Sequence, residues 1–228
     1  KDLWFLFCIV GAYFILIFKQ PDLGTAGVCL LIAASQVAFL RIDWRSIAIV
    51  GASAVSVLSI GWFFLLHDYQ KLRVLNLFNP KLDPHGSGYN SIQSLVAVGS
   101  GGIFGKGYLQ GTQTQLNFLP ARHTDFVFSV FAEEHGFWAC VVVFLCFAIL
   151  TYLILDMARF AADTFSAVLG IGIGAMFFIE FVINAAIVLG MFPVVGMPLP
   201  FFSFGGSSTI MRFVALGLLI GIYRQKLE

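Results

Sequence analysis

The chain has 228 residues, of which 59% are hydrophobic and 11% charged, and its net charge at pH 7 is +1. A soluble domain carries about 25% charged residues, so this composition argues against a soluble globular protein and predicts a membrane protein. Nucleic-acid binding needs a basic patch or stripe, which a net charge this close to zero does not support.

Six apolar runs follow one another along the chain. They are Leu3–Phe18, Leu23–Leu40, Ile47–Leu66, Phe126–Leu155, Phe165–Leu189 and Thr209–Tyr223. A membrane-spanning helix needs about 17–25 mostly apolar residues, and the helix satisfies its own backbone groups away from water. We therefore expect an all-α fold, a polytopic membrane protein with six transmembrane helices in one domain over residues 1–228. Because Lys1 leads into the first run without a methionine or a signal-peptide pattern, we also expect residues to precede it.

One long polar segment, His67 to Asp125, separates the third run from the fourth. A loop of this length is usually either functional or disordered. Apolar residues such as Leu75, Ile92 and Leu95 recur in it at helix-like spacing, which argues against disorder. The segment is expected to carry short amphipathic helices on the membrane surface.

The cations of the short loops predict how the chain is oriented. With six alternating spans, most of them fall on one side, namely Lys1, Arg41, Arg45, Arg159, Arg224 and Lys226. The positive-inside rule makes that side cytoplasmic. The segment 67–125 then lies outside the cytoplasm, together with Lys19–Thr25 and Gly190–Ser208, and we expect these three segments to converge on one site.

The motifs argue against two familiar kinds of site, a Walker-type phosphate-binding loop and a zinc site. GSGGIFGKG, Gly99–Gly107, is not a phosphate-binding Walker loop, which requires Gly at Ser100 and Ser or Thr at Gly107. It is either a glycine-rich bend that packs closely on helices or a set of backbone N–H groups offered to an anion, with Lys106 adding charge. The four cysteines lie in apolar runs away from the scattered histidines, so we expect buried free thiols and no zinc site.

Several acidic residues stand at or inside the predicted spans. Asp125 directly precedes the fourth run, where it is either a helix cap or a base at the membrane boundary. Glu133 and Glu134 lie two turns further on, so at least one of them should face the helix bundle rather than lipid. Glu180 and Arg212 fall inside the fifth and sixth runs, where they either pair with each other or serve function.

Five motifs together resemble the SEDS family (shape, elongation, division and sporulation) of bacterial membrane proteins. They are KQPDLGTA at Lys19–Ala26, NPKLDPHGSGYNSIQS at Asn79–Ser94, AVGSGGIFGKGYLQGTQTQLNFLP at Ala97–Pro120, HTDFVFSVFAEEHGF at His123–Phe137 and PVVGMPLPFFSFGGSS at Pro193–Ser208. GTQTQLNFLP, with Gln113, resembles the rod-elongation branch, RodA. The chain departs from the family pattern at Ala121, where Glu is usual, and at Glu180, where an uncharged residue is usual.

The resemblance implies a lipid II-dependent peptidoglycan glycosyltransferase that acts in cell elongation and cell shape. Family members have ten spans, so the chain corresponds to the last six. Asp125 matches the family's essential acid and is the expected catalytic base. The expected substrate-binding residues are Arg73, Lys71, Lys106, Arg122, Gln93, Ser94, Gln20, Asp22, Ser203 and Ser207.

The same resemblance implies the partners and the location. The partners would be lipid II, an undecaprenyl-pyrophosphate-linked glycan, a class B penicillin-binding protein (a transpeptidase) and other membrane proteins of the elongation complex. No cofactor is certain, although a divalent cation, magnesium or manganese, is compatible with Asp125. The location would be the bacterial cytoplasmic membrane, multi-pass, with the active site on the extracytoplasmic side.

Two other functions fit some of the same features. A transporter that flips a lipid-linked precursor is favoured by Glu180, Arg212 and the helices interrupted by Gly and Pro. A non-catalytic scaffold for a transpeptidase is the other. Transport requires charges along a path through the whole bilayer, whereas most polar residues of this chain lie on one side, so polymerisation is preferred.

Overall fold

The computed structural model describes residues 2–20, 22–39, 66–79, 83, 86–116, 118–119, 121–161 and 163–225. Within these ranges the chain forms helices and no strands, so the predicted all-α fold class is confirmed. The helices are, in chain order, α1 (Asp2–Lys19), α2 (Leu23–Phe39), α3 (Asp68–Phe78), α4 (Ser87–Gly101), α5 (Thr112–Gln115), α6 (Val127–Arg159), α7 (Thr164–Val188) and α8 (Gly206–Gln225).

The predicted apolar runs correspond to the longest of these helices. Three described helices are long and apolar enough to cross a membrane, and they occupy Val127–Arg159, Thr164–Val188 and Gly206–Arg224. Shorter apolar helical stretches occur in α1, at Cys8–Ile17, and in α2, at Leu23–Phe39. The third predicted run, Ile47–Leu66, lies outside the described residues except for Leu66. The chain is an integral membrane protein.

Helix α6 is broken at Gly136, where the backbone takes φ 76° and ψ −171°. Phe128 and Phe144 lie equally far from Gly136 in sequence, and an unbroken helix would separate them by about 24 Å at 1.5 Å per residue. Their ring centroids are only 5.8 Å apart. The helix therefore folds back into a first arm, 127–135, and a second arm, 137–159. The sequence predicted one continuous span here, and the positive φ that only glycine adopts readily is the local reason for the difference.

The second arm packs along α7 through aromatic and small residues. Phe147 stacks on Phe181 with ring centroids 4.2 Å apart. Nearer the other end of both helices, an added Cβ at Gly170 would lie 2.7 Å from the Cβ of Ala158, so the two backbones approach closely there. The buried Leu219 of α8 packs into the same region of the core. Small residues that let helices approach are the usual means of association in lipid.

The chain between α7 and α8 turns back into the bundle as a non-helical segment, 191–205, which we call the re-entrant segment. Its Phe201 stacks on Phe177 with ring centroids 5.4 Å apart. Phe177 lies about 16 Å along the axis of α7 from Val188, at 1.5 Å per residue. Phe202 contacts the rings of both arms of α6, Phe131 at 5.8 Å and Phe147 at 6.4 Å. Irregular backbone at such depth is tolerated where protein surrounds it.

Helices α3 and α4 confirm the prediction that the segment 67–125 carries short helices. Helix α4 packs on the first arm of α6, because Gly101 leaves room for the carbonyl of Ala132. The four cysteines are free, as expected, but the expectation that all are buried was wrong. Cys8 and Cys146 are exposed, because their apolar helices present those positions to the surface of the bundle.

Candidate functional site

Asp125 lies in the turn 121–126 that leads into α6. Its backbone carbonyl accepts a hydrogen bond from Asn184 Nδ2 at 2.9 Å, and the same nitrogen donates to the carbonyl of Met197 at 2.6 Å. Asn184 is fully buried in α7. One amide therefore ties Asp125 to both a membrane helix and the re-entrant segment.

The two residues before Asp125 are bound in the same way. Ser203 Oγ donates to the carbonyl of Thr124 at 2.5 Å and accepts from the N–H of Leu199 at 2.7 Å. The N–H of Phe204 donates to the carbonyl of His123 at 2.9 Å. Three consecutive carbonyls thus accept hydrogen bonds from α7 or the re-entrant segment, which fixes the turn that carries the acid.

The carboxylate of Asp125 is half-buried against the re-entrant segment. An added Cβ at Gly196 would lie 3.8 Å from Asp125 Oδ2, so the main chain of this segment passes beside the carboxylate. Burial raises the pKa of Asp125, while a hydrogen bond from Thr124 and the charge of Arg73 act in the opposite direction. Among the described residues no cation lies within ion-pair distance of Asp125. A carboxylate with a raised pKa and no fixed counter-ion is well suited to accept a proton.

The predicted convergence of three segments is confirmed. Arg73, on α3, is exposed and places its guanidinium 5.8 Å from the ring centroid of Tyr69, and it acts on Asp125 through space. Gly24, in the first turn of α2, faces Val195 so closely that an added Cβ would lie 2.7 Å from the Val195 Cβ. Three parts of the chain that are far apart in sequence therefore meet here: the start of α2, the segment 67–125 with Asp125, and the re-entrant segment.

An open cavity of about 800 Å³ adjoins the same turn. Its walls come from the turn, the re-entrant segment and the start of α8, and the lining residues are His123, Val127, Phe202, Ser203, Phe204, Gly205, Gly206, Thr209 and Ile210. The lining is mostly apolar, and its polar groups are the His123 ring, hydroxyls and the backbone at the N-terminus of α8. A cavity of this kind fits an amphiphilic ligand better than a free sugar.

Lys106, one of the expected substrate-binding residues, has protein partners in the structure. Its Nζ lies 2.8 Å from Glu133 Oε1 and 2.8 Å from Thr112 Oγ1, and the Glu133 side chain is fully buried. The N–H groups of Lys106 and Gly107 donate to the carbonyls of Glu133 and Glu134 at 3.0 Å each. The glycine run Gly99–Gly107 is therefore a bend packed on the break in α6, and this placement favours a structural role for Lys106.

The remaining predicted binding residues divide by environment. Ser94 is fully buried, with its Oγ 2.7 Å from Ser129 Oγ and 2.8 Å from the carbonyl of Val188, which favours a structural role. Asp22 caps α2 by accepting from the N–H and hydroxyl of Thr25. Arg122 donates from Nε to His123 Nε2 at 3.2 Å. The other four residues are accessible to solvent. Gln20 and Ser207 lie near helix ends, Lys71 lies on α3 and Gln93 lies on α4.

The intramembrane charges pair with each other, as one of the two sequence interpretations proposed. Arg212 Nη2 and Nε lie 2.9 and 3.0 Å from Glu180 Oε2. Arg212 Nη1 is buried and has no hydrogen-bond partner within the described part of the chain. Both Glu133 and Glu134 are buried, as predicted for at least one of them.

A cation at this site would depend on few protein ligands. In the part of the chain that the structure describes, no group of three or more His, Cys, Asp or Glu side chains is arranged to hold an ion. Asp125 alone still fits the way Mg²⁺ is often held, by one or two carboxylates with substrate phosphates and water completing the shell.

Asn184 is the site residue that sequence reasoning missed. Its signal was present, because an asparagine stands inside an otherwise apolar run, and polar side chains in a span usually have a specific partner. The sequence could not show the partners of Asn184, because they are the backbone carbonyls of Asp125 and Met197, and every residue has a backbone carbonyl.

The chain is similar to known proteins along almost its whole length. The model of the cell cycle protein family of FtsW, RodA and SpoVE matches residues 2–228. The peptidoglycan glycosyltransferase MrdB of Escherichia coli K12 is 41% identical over 213 residues, which cover 93% of this chain and 57% of MrdB. The chain thus spans somewhat more than half the length of this relative.

Two solved structures share the fold. One comes from a peptidoglycan synthase complex and concerns the structural coordination of polymerization and crosslinking. It matches with a TM-score of 0.75 and 32% identity, and the match covers 97% of this chain and 60% of the other chain. The other is a mutant of the rod shape determining protein RodA of Thermus thermophilus, with a TM-score of 0.66 and 26% identity over 100% of this chain and 58% of its own. The chain belongs to the SEDS family of FtsW, RodA and SpoVE, and within it to the RodA branch.

Proposed function

We propose that the chain carries the catalytic base of a peptidoglycan glycosyltransferase that polymerises lipid II into glycan strands during cell elongation. The observation that carries this proposal is Asp125, a half-buried carboxylate with a raised pKa, no ion pair among the described residues, and a backbone held on three consecutive carbonyls. Groups with perturbed pKa values that stand unpaired beside a cavity are typical of catalytic sites. The relative MrdB, named a peptidoglycan glycosyltransferase, supports the same activity.

The reaction is one inverting displacement. The 4-hydroxyl oxygen of the acceptor sugar forms a bond to the anomeric carbon of the donor, and the bond from that carbon to the pyrophosphate oxygen breaks. Asp125 takes the proton from the hydroxyl, and the electron pair of the broken bond leaves on the pyrophosphate. An α-linked donor thereby becomes a β-1,4 linkage. A positioned general base contributes typically about 10²–10⁴-fold to such a step.

The leaving pyrophosphate needs positive charge in the site. Arg73 is the best placed, because it is exposed on α3 and acts electrostatically on Asp125. Arg122, in the same turn as Asp125, is the second candidate. A guanidinium offers a bidentate fork that matches phosphate oxygens. A divalent cation on Asp125, when bound, would add charge against the same leaving group.

The cavity of about 800 Å³ beside His123 and Phe202 is where we place the first isoprene units of a lipid-linked sugar. It opens next to the acid, and its apolar lining suits a polyprenyl chain while the start of α8 offers backbone N–H groups toward a phosphate. The proposed location is the cytoplasmic membrane of a bacterium, with this site on the extracytoplasmic side. The proposed protein partner is a class B penicillin-binding protein, which the similarity to a peptidoglycan synthase complex supports.

One reconstitution tests the proposal against its rivals. The full-length protein is placed in lipid vesicles with its transpeptidase partner and fluorescent lipid II, and glycan strands are separated by length. We expect strands to form. Movement of the label to the inner leaflet without strands would identify a transporter instead. Neither strands nor movement, with the transpeptidase still bound, would identify a scaffold.

A further inference from the structure

A second, smaller cavity lies between α3, α4 and the chain that follows α7. Its volume is about 120 Å³, and its lining residues are Arg73, Asn76, Leu77, Ser87, Ser91, Leu95, Gly190, Phe192, Pro193 and Val194. Gly190, with φ 67°, brings the chain against Leu95, so that an added Cβ would lie 3.1 Å from Leu95 Cδ1. The cavity is thus formed by the same helix that carries Arg73 and by the beginning of the re-entrant segment.

Asn76, one of the residues that line this cavity, carries a buried polar atom without a hydrogen-bond partner among the described residues. Asn76 is 3% exposed, and its Nδ2 donates to Ser87 Oγ at 2.7 Å. Ser87 Oγ in turn lies 3.4 Å from Asp83 Oδ2, which also accepts from the N–H of Ser87 at 2.9 Å. Because Ser87 directs its proton to Asp83, it accepts from Asn76, and this sets the orientation of the amide. Asn76 Oδ1 is then buried without a hydrogen-bond partner among the described residues.

An unsatisfied buried acceptor destabilises a protein, and such atoms usually meet a water or a ligand. The ligand group here must offer an N–H or O–H to Asn76. It must also place an apolar part against Leu77, Leu95 and Pro193, which form much of the remaining wall. Finally, it must accommodate the guanidinium of Arg73, which favours a carbonyl oxygen.

We propose that this cavity binds the acetamido group of an N-acetylamino sugar, the acceptor of the reaction proposed above, on which this inference rests. The acetamido N–H donates to Asn76 Oδ1, its methyl group lies against Leu77 and Leu95, and its carbonyl oxygen faces Arg73. A volume of about 120 Å³ is large enough to admit a group as small as an acetamido group. Arg73 also acts on Asp125, so the same residue belongs to both the cavity and the catalytic site.

The test uses the full-length protein with its transpeptidase partner and two acceptors. One is native lipid II, and the other is lipid II whose terminal glucosamine carries a free amine in place of the acetamido group. For the wild-type protein we expect kcat/KM to fall at least tenfold with the free amine, because a methyl pocket alone gives about 10–200-fold discrimination. Asn76→Leu should lower kcat/KM for native lipid II by about tenfold and leave kcat/KM for the free-amine acceptor nearly unchanged, so the ratio between the two acceptors should shrink by about tenfold.

The matched control is Asn90→Leu, an asparagine of α4 that does not line the cavity, and it should keep the wild-type ratio. If Asn76→Leu does not fold, Ser91→Val decides, since it fills the cavity and should lower the ratio in the same way. Equal use of both acceptors by the wild-type protein would overturn the acetamido site and leave the glycosyltransferase intact. An unchanged ratio in a folded cavity variant would overturn it too. No strands from the wild-type protein with native lipid II would overturn the proposed function itself.

Discussion

The surroundings of Asp125 and of Glu133 differ, although Asp125 directly precedes the first arm of α6 and Glu133 lies near the end of that arm. Glu133 is fully buried, and its Oε1 accepts from Lys106 Nζ at 2.8 Å, the N–H of Gln113 at 3.0 Å and Thr112 Oγ1 at 3.2 Å. Asp125 is half-buried, and its backbone carbonyl, not its carboxylate, accepts a hydrogen bond from Asn184 Nδ2 at 2.9 Å. One acid has its charge compensated, and the other has its position fixed.

The difference separates two uses of a carboxylate near a membrane. A buried charge is tolerated when an opposite charge and several donors surround it, and its removal then disturbs the fold. A charge left without a counter-ion keeps a raised pKa and remains available for proton transfer. The sequence alone made Asp125 the candidate base and predicted that Glu133 or Glu134 faces the helix bundle, and the contacts favour Asp125 over Glu133 as a base.

The largest expected effect comes from Asp125→Asn in the full-length protein. The amide keeps the shape and the backbone contacts to Asn184, but it cannot accept a proton, so the polymerisation rate should fall by about 10²–10⁴-fold. Asp68→Asn, at an exposed carboxylate in the first turn of α3, is the matched control and should stay near wild type. The measurement is initial rate of glycan strand formation. Strands of normal yield from Asp125→Asn would remove this residue from the mechanism.

The same substitution should raise stability slightly, which separates it from ordinary damage. Burial raises the folded-state pKa of Asp125 above its unfolded value, so the folded protein favours the protonated form and the charged form opposes folding at neutral pH. Asparagine is neutral at every pH. Thermal unfolding should therefore show the variant equal to or above wild type at pH 7, with the gap closing as pH falls through the pKa of Asp125. A lower melting temperature at pH 7 would contradict this.

Glu133→Leu is expected to act on the fold first. It leaves the Lys106 ammonium, 26% exposed, without its carboxylate, and breaking a buried pair costs about 3–5 kcal/mol, with the lower end expected for a partner that still reaches water. The double variant Lys106→Met with Glu133→Leu should recover much of that loss, because no charge remains unpaired. Chemical unfolding in detergent measures both. If Lys106→Met alone keeps full stability but loses lipid II use, Lys106 binds substrate as the sequence had suggested.

Asn184→Leu should have an intermediate effect. It removes the hydrogen bonds to the carbonyls of Asp125 and Met197, each worth about 0.5–1.5 kcal/mol, so kcat should fall by about tenfold or more as the acid moves. A looser turn also exposes Asp125, which lowers its pKa toward the ordinary range and moves the acid limb of the pH–rate profile to lower pH. Thr151→Val, at another polar residue inside a span, is the control and should not move the acid limb. A change of stability with an unmoved acid limb would make Asn184 structural only.

The sequence was sufficient to locate most of the described helices and insufficient to predict how they meet. Apolar runs located α1, α2, α7 and α8 closely, because bilayer thickness sets the length of a span. They did not locate the fold-back at Gly136, since a single glycine inside an apolar run is also common in unbroken membrane helices. The depth reached by Phe201 was equally hidden, because it depends on a ring stack with Phe177 between distant parts of the chain.

The smallest expected effect is a shift of the acid limb of the pH–rate profile in Arg73→Gln, separate from the loss of lipid II use that its proposed contact with the pyrophosphate predicts. The positive charge of Arg73 lowers the pKa of Asp125 against the larger effect of burial. Without that charge the pKa rises further, so the base becomes protonated at a higher pH and the acid limb of the pH–rate profile moves upward. Lys71→Gln is the matched control, because it removes a cation from the same helix. The two variants are compared by kcat/KM for lipid II across the acid range at constant ionic strength. Equal upward shifts would mean that Asp125 responds to the general charge of α3 and not to Arg73, and no shift in either would separate Arg73 from the base altogether.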